Sequence, residues 1–248
     1  MMHFVDISNW QGGIDLPALL PNIDGVVCKA TEGVTFVDPY CDSWIQQCIN
    51  AGKPWGFYHF AGNGSASEEA AFFIRNCRGY FRNGIPILDW EGNQSVGWVN
   101  AFVGKVHEST GVWPWIYGNP WRFNQGGVEP NCARWVAEYP AVTSPSFEQA
   151  ESWECPEADG NAVAWQFCSD GRVSGYNGNL DLSLFYGTEN QWRAYALGDN
   201  TETDSASGDN SSNMRPDSPV PSPDDSSDIG AGVSVLENDE YKITIERK

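Results

Sequence analysis

Apolar, β-prone runs recur along the first three quarters of the chain, at 4–7, 25–30, 55–60, 85–90, 113–117, 134–139 and 162–167. Helical patterns separate the early ones. Residues 40–51 keep their apolar side chains on one face and close on Gly52, and Ser65-Ala66-Ser67-Glu68 reads as a capping box opening a helix to about Arg82. A third pattern, 95–109, ends before Gly111. Strands alternating with helices at this spacing specify βα units and a parallel sheet. After Gly111 the helical period fades, and strands starting at Trp113, Arg134 and Ala162 are joined by loops rich in Gly, Pro and Asn. The pattern predicts an α/β barrel whose first half is βα and whose second half is mostly β.

Compositional character changes near Gly187. Residues 188–230 read as an acidic Pro/Ser/Asp-rich linker, with Pro216, Pro219, Pro221 and Pro223, too poor in apolar residues to order themselves. Some apolar alternation returns at 233–245, so 231–248 is expected to be a partner-pairing strand or the stub of a second module. The expected organisation is a barrel over 1–187, the linker, and a short tail, with no internal repeats.

At 248 residues the chain can bury a full core for one barrel with an appendage. No apolar run reaches the roughly 18 residues that a membrane-spanning helix needs, so no membrane insertion is expected. Met1-Met2-His3-Phe4-Val5-Asp6 leads straight into the first strand without a basic segment and apolar core, so no cleaved leader is expected. The formal charge of −19 argues against a nucleic-acid partner. It is spread unevenly: 1–187 carry 20 acids and 9 bases, 188–248 carry 13 and 5. The seven cysteines include no C-x-x-C pair; Cys28 and Cys77 read as small core residues, while Cys41–Cys48 or Cys155–Cys168 pairing is left open. His3, His59 and His107 are scattered, so neither a zinc site nor another cofactor is expected. Twelve tryptophans suit a core, and also a cleft that stacks on sugar rings.

The chemistry centres on Ile85-Pro86-Ile87-Leu88-Asp89-Trp90-Glu91. In an extended strand Asp89 and Glu91 project one way and Trp90 the other. Two neighbouring carboxylates are costly to keep ionised together, so one holds its proton to higher pH, as a general acid requires. Asp6 ends the first strand and Asp181 lies near the last, so a barrel closed by those strands gathers four acids at one mouth. That set suits glycoside hydrolysis through an oxocarbenium-like transition state.

Taken in order, Asp6-Ile7-Ser8 with Gln11, Lys29-Ala30-Thr31-Glu32-Gly33, Gly56-Phe57-Tyr58-His59-Phe60, Asp89-Trp90-Glu91, Ile116-Tyr117, Trp135-Val136-Ala137, Trp165-Gln166 and Asp181-Leu182-Ser183 resemble glycoside hydrolase family 25. These are the Chalaropsis-type lysozymes or muramidases, many of them phage endolysins, and the resemblance runs from residue 4 to about 187. It implies an irregular, TIM-like (β/α)5(β)3 barrel that cleaves the β-1,4 bond between N-acetylmuramic acid and N-acetylglucosamine. It also implies Glu91 as general acid, Asp89 as its partner in an oxocarbenium or oxazolinium step, and Asp6 and Asp181 as flanking acids. Retention, with the substrate's own acetamido group as nucleophile, belongs to the same implication.

Tyr58, Tyr117 and Trp135 are candidate sugar contacts, the alternative for the last two being a core position. Gln166 is a candidate hydrogen-bond partner to the sugar or a catalytic acid. Lys29 and Glu32 are substrate-binding candidates, the alternative being a strand end and turn. His59 reads as a satisfied core histidine. Two rivals stand beside this reading. A chitinase-like hydrolase would carry Asp-x-x-Asp-x-Asp-x-Glu, but Gly84 occupies the place of its first acid. A catalytically silent glycan-binding barrel would be expected to have lost one of the four acids. The implied partner is bacterial peptidoglycan, met by a monomer made in the infected cytoplasm and acting on the wall after release, with the tail free to contact a partner. The negative charge, and a tail unlike a wall-binding repeat, predict weak wall retention.

Overall fold

The computed structural model describes residues 1–158 and 162–198. Its strands are β1 (Met2–Ile7), β2 (Gly25–Glu32), β3 (Phe36–Val37), β4 (Trp55–Phe60), β5 (Ile85–Asp89), β6 (Trp115–Gly118), β7 (Arg134–Ala137), β8 (Ala162–Gly171) and β9 (Leu180–Phe185). The helices are α1 (Leu16–Leu19), α2 (Cys41–Asn50), α3 (Ala66–Asn76), α4 (Val96–Thr110), α5 (Pro120–Phe123), α6 (Phe147–Ala150) and α7 (Glu189–Leu197). The sheet runs β1-β9-β8-β7-β6-β5-β4-β2 and closes through a β1–β2 pairing, while β3 folds back on β2 as a hairpin. The barrel strands are parallel except β9, which is antiparallel to both neighbours.

Strand alternation produces two apolar layers. Ile85 and Ile87 of β5 pack inside the barrel with Phe4, Val27, Trp115, Trp135 and Phe185. Leu88 and Trp90 pack outward, with Phe57, Phe73 and Phe102 under α3 and α4. The helices α2, α3 and α4 have 10, 11 and 15 residues, but α5 and α6 only four each, so the helical coat thins after β6 as the fading period predicts. The capping box at Ser65 forms: its Oγ accepts from the Glu68 N–H, and the Glu68 carboxylate accepts from the Ser65 N–H. Gly111 closes α4 with φ 72°, a left-handed turn that glycine adopts without a Cβ penalty.

Three features depart from the sequence expectation. The helix α3 stops at Asn76 rather than near Arg82. Beyond Cys77 the chain turns to bury Tyr80 against Trp55 and Phe81 against Phe57, with ring centroids 5.8 and 5.1 Å apart, and Arg82 takes φ 67°. The strand β9 was absent from the expected runs, although Leu180, Leu182 and Leu184 alternate with Asp181 and Ser183. Most consequential is α7, which begins just past Gly187, where a linker was expected. Thr188 caps it, and Trp192 sits against Phe4, Trp115 and Phe185 with centroids 5.1–5.4 Å away, its indole N–H donating to the Trp55 carbonyl. That aromatic plug seals the barrel end opposite the acids. The remaining linker from 199 and the tail at 231–248 lie outside the described residues. All seven cysteines are free thiols, six of them buried, so neither candidate pairing forms. Among the described residues no helix is long and apolar enough to cross a membrane.

Candidate active site

Three strands deliver the acids. Asp6 and Asp181 are register partners across the antiparallel β1–β9 pair, and their side chains are hydrogen-bonded to each other. Asp89 is the last residue of β5, and Glu91 stands two residues beyond, with Trp90 turned away into the outer core. All four line one cleft of about 290 Å³, together with Ser8, Trp10, Lys29, Tyr58, Phe60, Tyr117, Trp135, Tyr139, Gln166 and Ser169.

Burial sets the electrostatics. Asp6 is raised well above the usual carboxylate range by burial and by Asp181, against the opposing hydrogen bond from Gln166. Asp181 is pushed up by burial to about 6. A hydrogen bond between two carboxyls needs a proton; it raises Asp6 and lowers Asp181, so Asp6 carries it and Asp181 accepts, and the pair holds this one proton at pH above the Asp181 value of about 6. Burial also raises Asp89, with the Glu91 charge adding to it. Glu91, more open at the rim, is raised by partial desolvation, against the attraction of Arg122 and Lys29. Asp89 Oδ1 is buried and has no hydrogen-bond partner among the described residues.

Gln166 organises the floor. Its Oε1 accepts from the Tyr117 and Tyr139 hydroxyls at 2.7 and 2.5 Å, which fixes the amide so that Nε2 donates to Asp6 Oδ1 at 2.8 Å. Trp135 is only 2% exposed; its indole N–H donates to Ser183 Oγ and its ring meets Tyr117 edge-on, so it supports the floor more than it presents a face. Lys29 lies over the Phe60 and Phe36 rings, 2.6 Å from the Glu32 carboxylate. Glu32 is not among the cleft-lining residues and reaches the site through Lys29. His59 is buried between Thr31 Oγ1 at 2.8 Å and Glu69 Oε2 at 2.9 Å, outside the cleft.

Sequence reasoning singled out neither Trp10, nor Tyr139, nor Arg122. Trp10 is 85% exposed, on a short 3-10 turn (Asn9–Gln11) whose cap is Ser8. Its position just after the Asp6 strand was the available signal. Tyr139 was hidden at the end of a run read wholly as strand, although β7 stops at Ala137. Among the described residues no group of His, Cys, Asp or Glu is arranged to hold a metal ion.

A closed α/β barrel with four carboxylates converging at strand ends is an arrangement suited to glycoside hydrolysis. Residues 5–176 match the model of glycosyl hydrolases family 25, and the chain belongs to that family. It is 27% identical over 192 residues to the autolytic lysozyme of Clostridium acetobutylicum, covering 74% of this chain and 56% of that protein. Lysozyme M1 of Streptomyces globisporus is 28% identical over 220 residues, with 79% and 71% covered. The bacterial lysozyme structure from Streptomyces coelicolor superposes with a TM-score of 0.65 at 25% identity, over 79% of this chain and 97% of that one. A family GH25 lysozyme from Aspergillus fumigatus gives 0.63 at 26% identity, over 79% and 99%.

The raised Asp181 has a stability consequence. The folded-state value of Asp181 is raised, so its contribution is fully present below the unfolded pKa and is lost as pH rises through about 6. Asp181→Asn is therefore expected to stabilise the protein by about 1–2 kcal/mol at pH 8, after discounting for solvent screening, and by almost nothing at pH 4. Urea melts at both pH values measure this, and an equal effect at both would contradict it.

Proposed function

We propose that this chain is a muramidase that hydrolyses the β-1,4 bond between N-acetylmuramic acid and N-acetylglucosamine in bacterial peptidoglycan. The observation that carries the reading is the meeting of Asp6, Asp89, Glu91 and Asp181 in one cleft of a family 25 barrel. Glu91, at the open rim with a raised pKa, gives its proton to the leaving glycosidic oxygen. The carbonyl oxygen of the substrate's acetamido group attacks the anomeric carbon as that bond breaks, leaving an oxazolinium ion. The reactive form of the pair has the proton on Glu91 and Asp89 ionised, although burial raises Asp89 the more strongly. In that form the Asp89 carboxylate serves as the anion for the developing positive charge and accepts the acetamido N–H. Water opens the ring, giving its proton back to Glu91, and the anomeric configuration is retained. Asp6 and Asp181 hold the sugar from the opposite wall, with Gln166 kept in place by Tyr117 and Tyr139. Tyr58 and Lys29 also line the cleft, Trp135 supports Tyr117, and Glu32 orients Lys29.

The test is release of soluble reducing ends from purified peptidoglycan and from chitin, side by side. Release from peptidoglycan alone supports the reading; equal turnover of chitin would favour a chitinase-like hydrolase. The same proposal holds that the protein acts as a monomer, is made in an infected bacterial cytoplasm, and reaches the wall after release, with 231–248 docking a partner. Removing 188–248 and measuring oligomeric state tests the docking. The charge of −19 gives little long-range attraction to an anionic wall. Adsorption to intact Gram-positive cells is expected to be weak and to rise from low salt to about 0.15 M as repulsion is screened. Strong, salt-insensitive adsorption in a sedimentation assay would count against it.

A further inference from the structure

The Glu91 carboxylate has no hydrogen-bond partner among the described residues, so the acid is held in place by its backbone and by nearby charge. The turn that carries it is pinned at several points. The Trp90 N–H donates to the Tyr117 carbonyl at 2.9 Å, and the Trp90 indole N–H donates to the Gln94 carbonyl at 3.0 Å. The Gln94 amide in turn donates to the Ala61 and Gly62 carbonyls. On the β6 side the pin is Arg122, whose Nη2 donates to the Glu91 carbonyl at 2.5 Å and whose guanidinium lies over the Trp90 ring at 5.2 Å. Arg122 itself is placed by α5, a one-turn helix capped by the Asn119 side chain with Pro120 opening it.

We propose that Arg122 is a positioning residue for the general acid: it clamps the Glu91 main chain against Trp90 and sets a fixed positive charge beside Glu91 and Asp89. The inference rests on the muramidase reading for its kinetic consequences, but its geometry does not. A planar guanidinium can stack on an indole and donate in its own plane at once, which a lysine ammonium cannot. The cation also favours the ionised forms of both carboxyls, opposing the burial that raises them. Arg122 thus bounds how far Glu91 is raised, and with it the pH above which the acid loses its proton.

Two substitutions separate clamp from charge. Arg122→Gln removes the charge, and Arg122→Lys keeps a charge but loses the planar group that lies over the Trp90 ring and donates to the Glu91 carbonyl. Both are expected to lower kcat about tenfold with little change in KM. Only Arg122→Gln should move the alkaline limb of the pH profile to higher pH, since the acid then stays protonated longer. A residue serving stability alone would leave the limb in place in both variants. The companion measurement is carbon-13 NMR titration of the Glu91 carboxyl, assigned by its loss in Glu91→Gln, which needs no turnover. Upward displacement in Arg122→Gln but not in Arg122→Lys supports the inference. Superimposable titrations in a folded Arg122→Gln overturn it, whether or not the protein cleaves peptidoglycan. Absence of turnover by the unsubstituted protein would instead count against the muramidase reading.

Discussion

Glu91→Gln should lower the rate of peptidoglycan cleavage by about 10²–10⁴-fold, the range lost when a general acid is removed. Glutamine keeps the shape of the side chain but has no proton of suitable acidity for a leaving sugar oxygen. Binding should survive, because Asp6, Asp181, Gln166 and Tyr58 are untouched, so the loss should fall on kcat rather than KM. The fold should be intact as well. The Glu91 carboxyl is raised in the folded state, so its ionisation at neutral pH costs stability, and a neutral amide removes that cost. In the unsubstituted enzyme, activity should be highest at mildly acidic pH and fall as the pH rises through the raised value of the Asp89–Glu91 pair. A Glu91→Gln protein with near-normal turnover would remove Glu91 from the role.

The second large effect is structural. Glu69 of α3 is fully buried, with its carboxylate accepting from the Gly62 N–H at 2.8 Å, the Gly64 N–H at 2.6 Å and His59 Nε2 at 2.9 Å. Burial opposes the charge, but these three donors outweigh it and hold the acid below its ordinary range. Burial also lowers His59, which is therefore neutral at pH 7, with its Nε2–H donating to Glu69 Oε2 and its Nδ1 accepting from Thr31 Oγ1. Glu69→Ala leaves three buried donors without an acceptor and should cost about 3–5 kcal/mol in a urea melt at pH 7. Glu69→Gln, which retains one acceptor oxygen, should cost less. Both folded-state values are depressed, so the stabilisation is present above the unfolded pKa values and is lost as pH falls through the folded ones. The gap between Glu69→Ala and the unsubstituted protein should therefore narrow at low pH. A cost below about 1 kcal/mol at neutral pH would show that the network is dispensable.

Much of this site was legible in the chain because strand-end acids follow a period of two. Asp6 and Asp89 close apolar runs, and Glu91 follows two residues on, so alternation alone turned Trp90 outward and the acids toward one mouth. His59 was readable as a core residue for the same reason, since it alternates with Tyr58. The residues that went unread owe their positions to contacts between distant segments. Arg122 is an unremarkable cation in a short polar turn until β5 and β6 pair and bring its guanidinium onto Trp90. Glu69 looked like one more acid in the first turn of a capped helix, and its burial depends on how the Gly62–Gly64 loop folds over α3. The helix α7 follows Gly187 in a segment rich in polar residues, and Trp192, Tyr195 and Ala196 bind it to the barrel. Periodicity over nine residues is a weak signal beside that aromatic contact.

The measurement that bears most directly on the central claim is digestion of purified peptidoglycan, followed by borohydride reduction of the new ends and mass analysis, with Glu91→Gln alongside. The account predicts muramitol ends that disappear in the variant. Glucosaminitol ends, or no new ends from a folded protein, would contradict it.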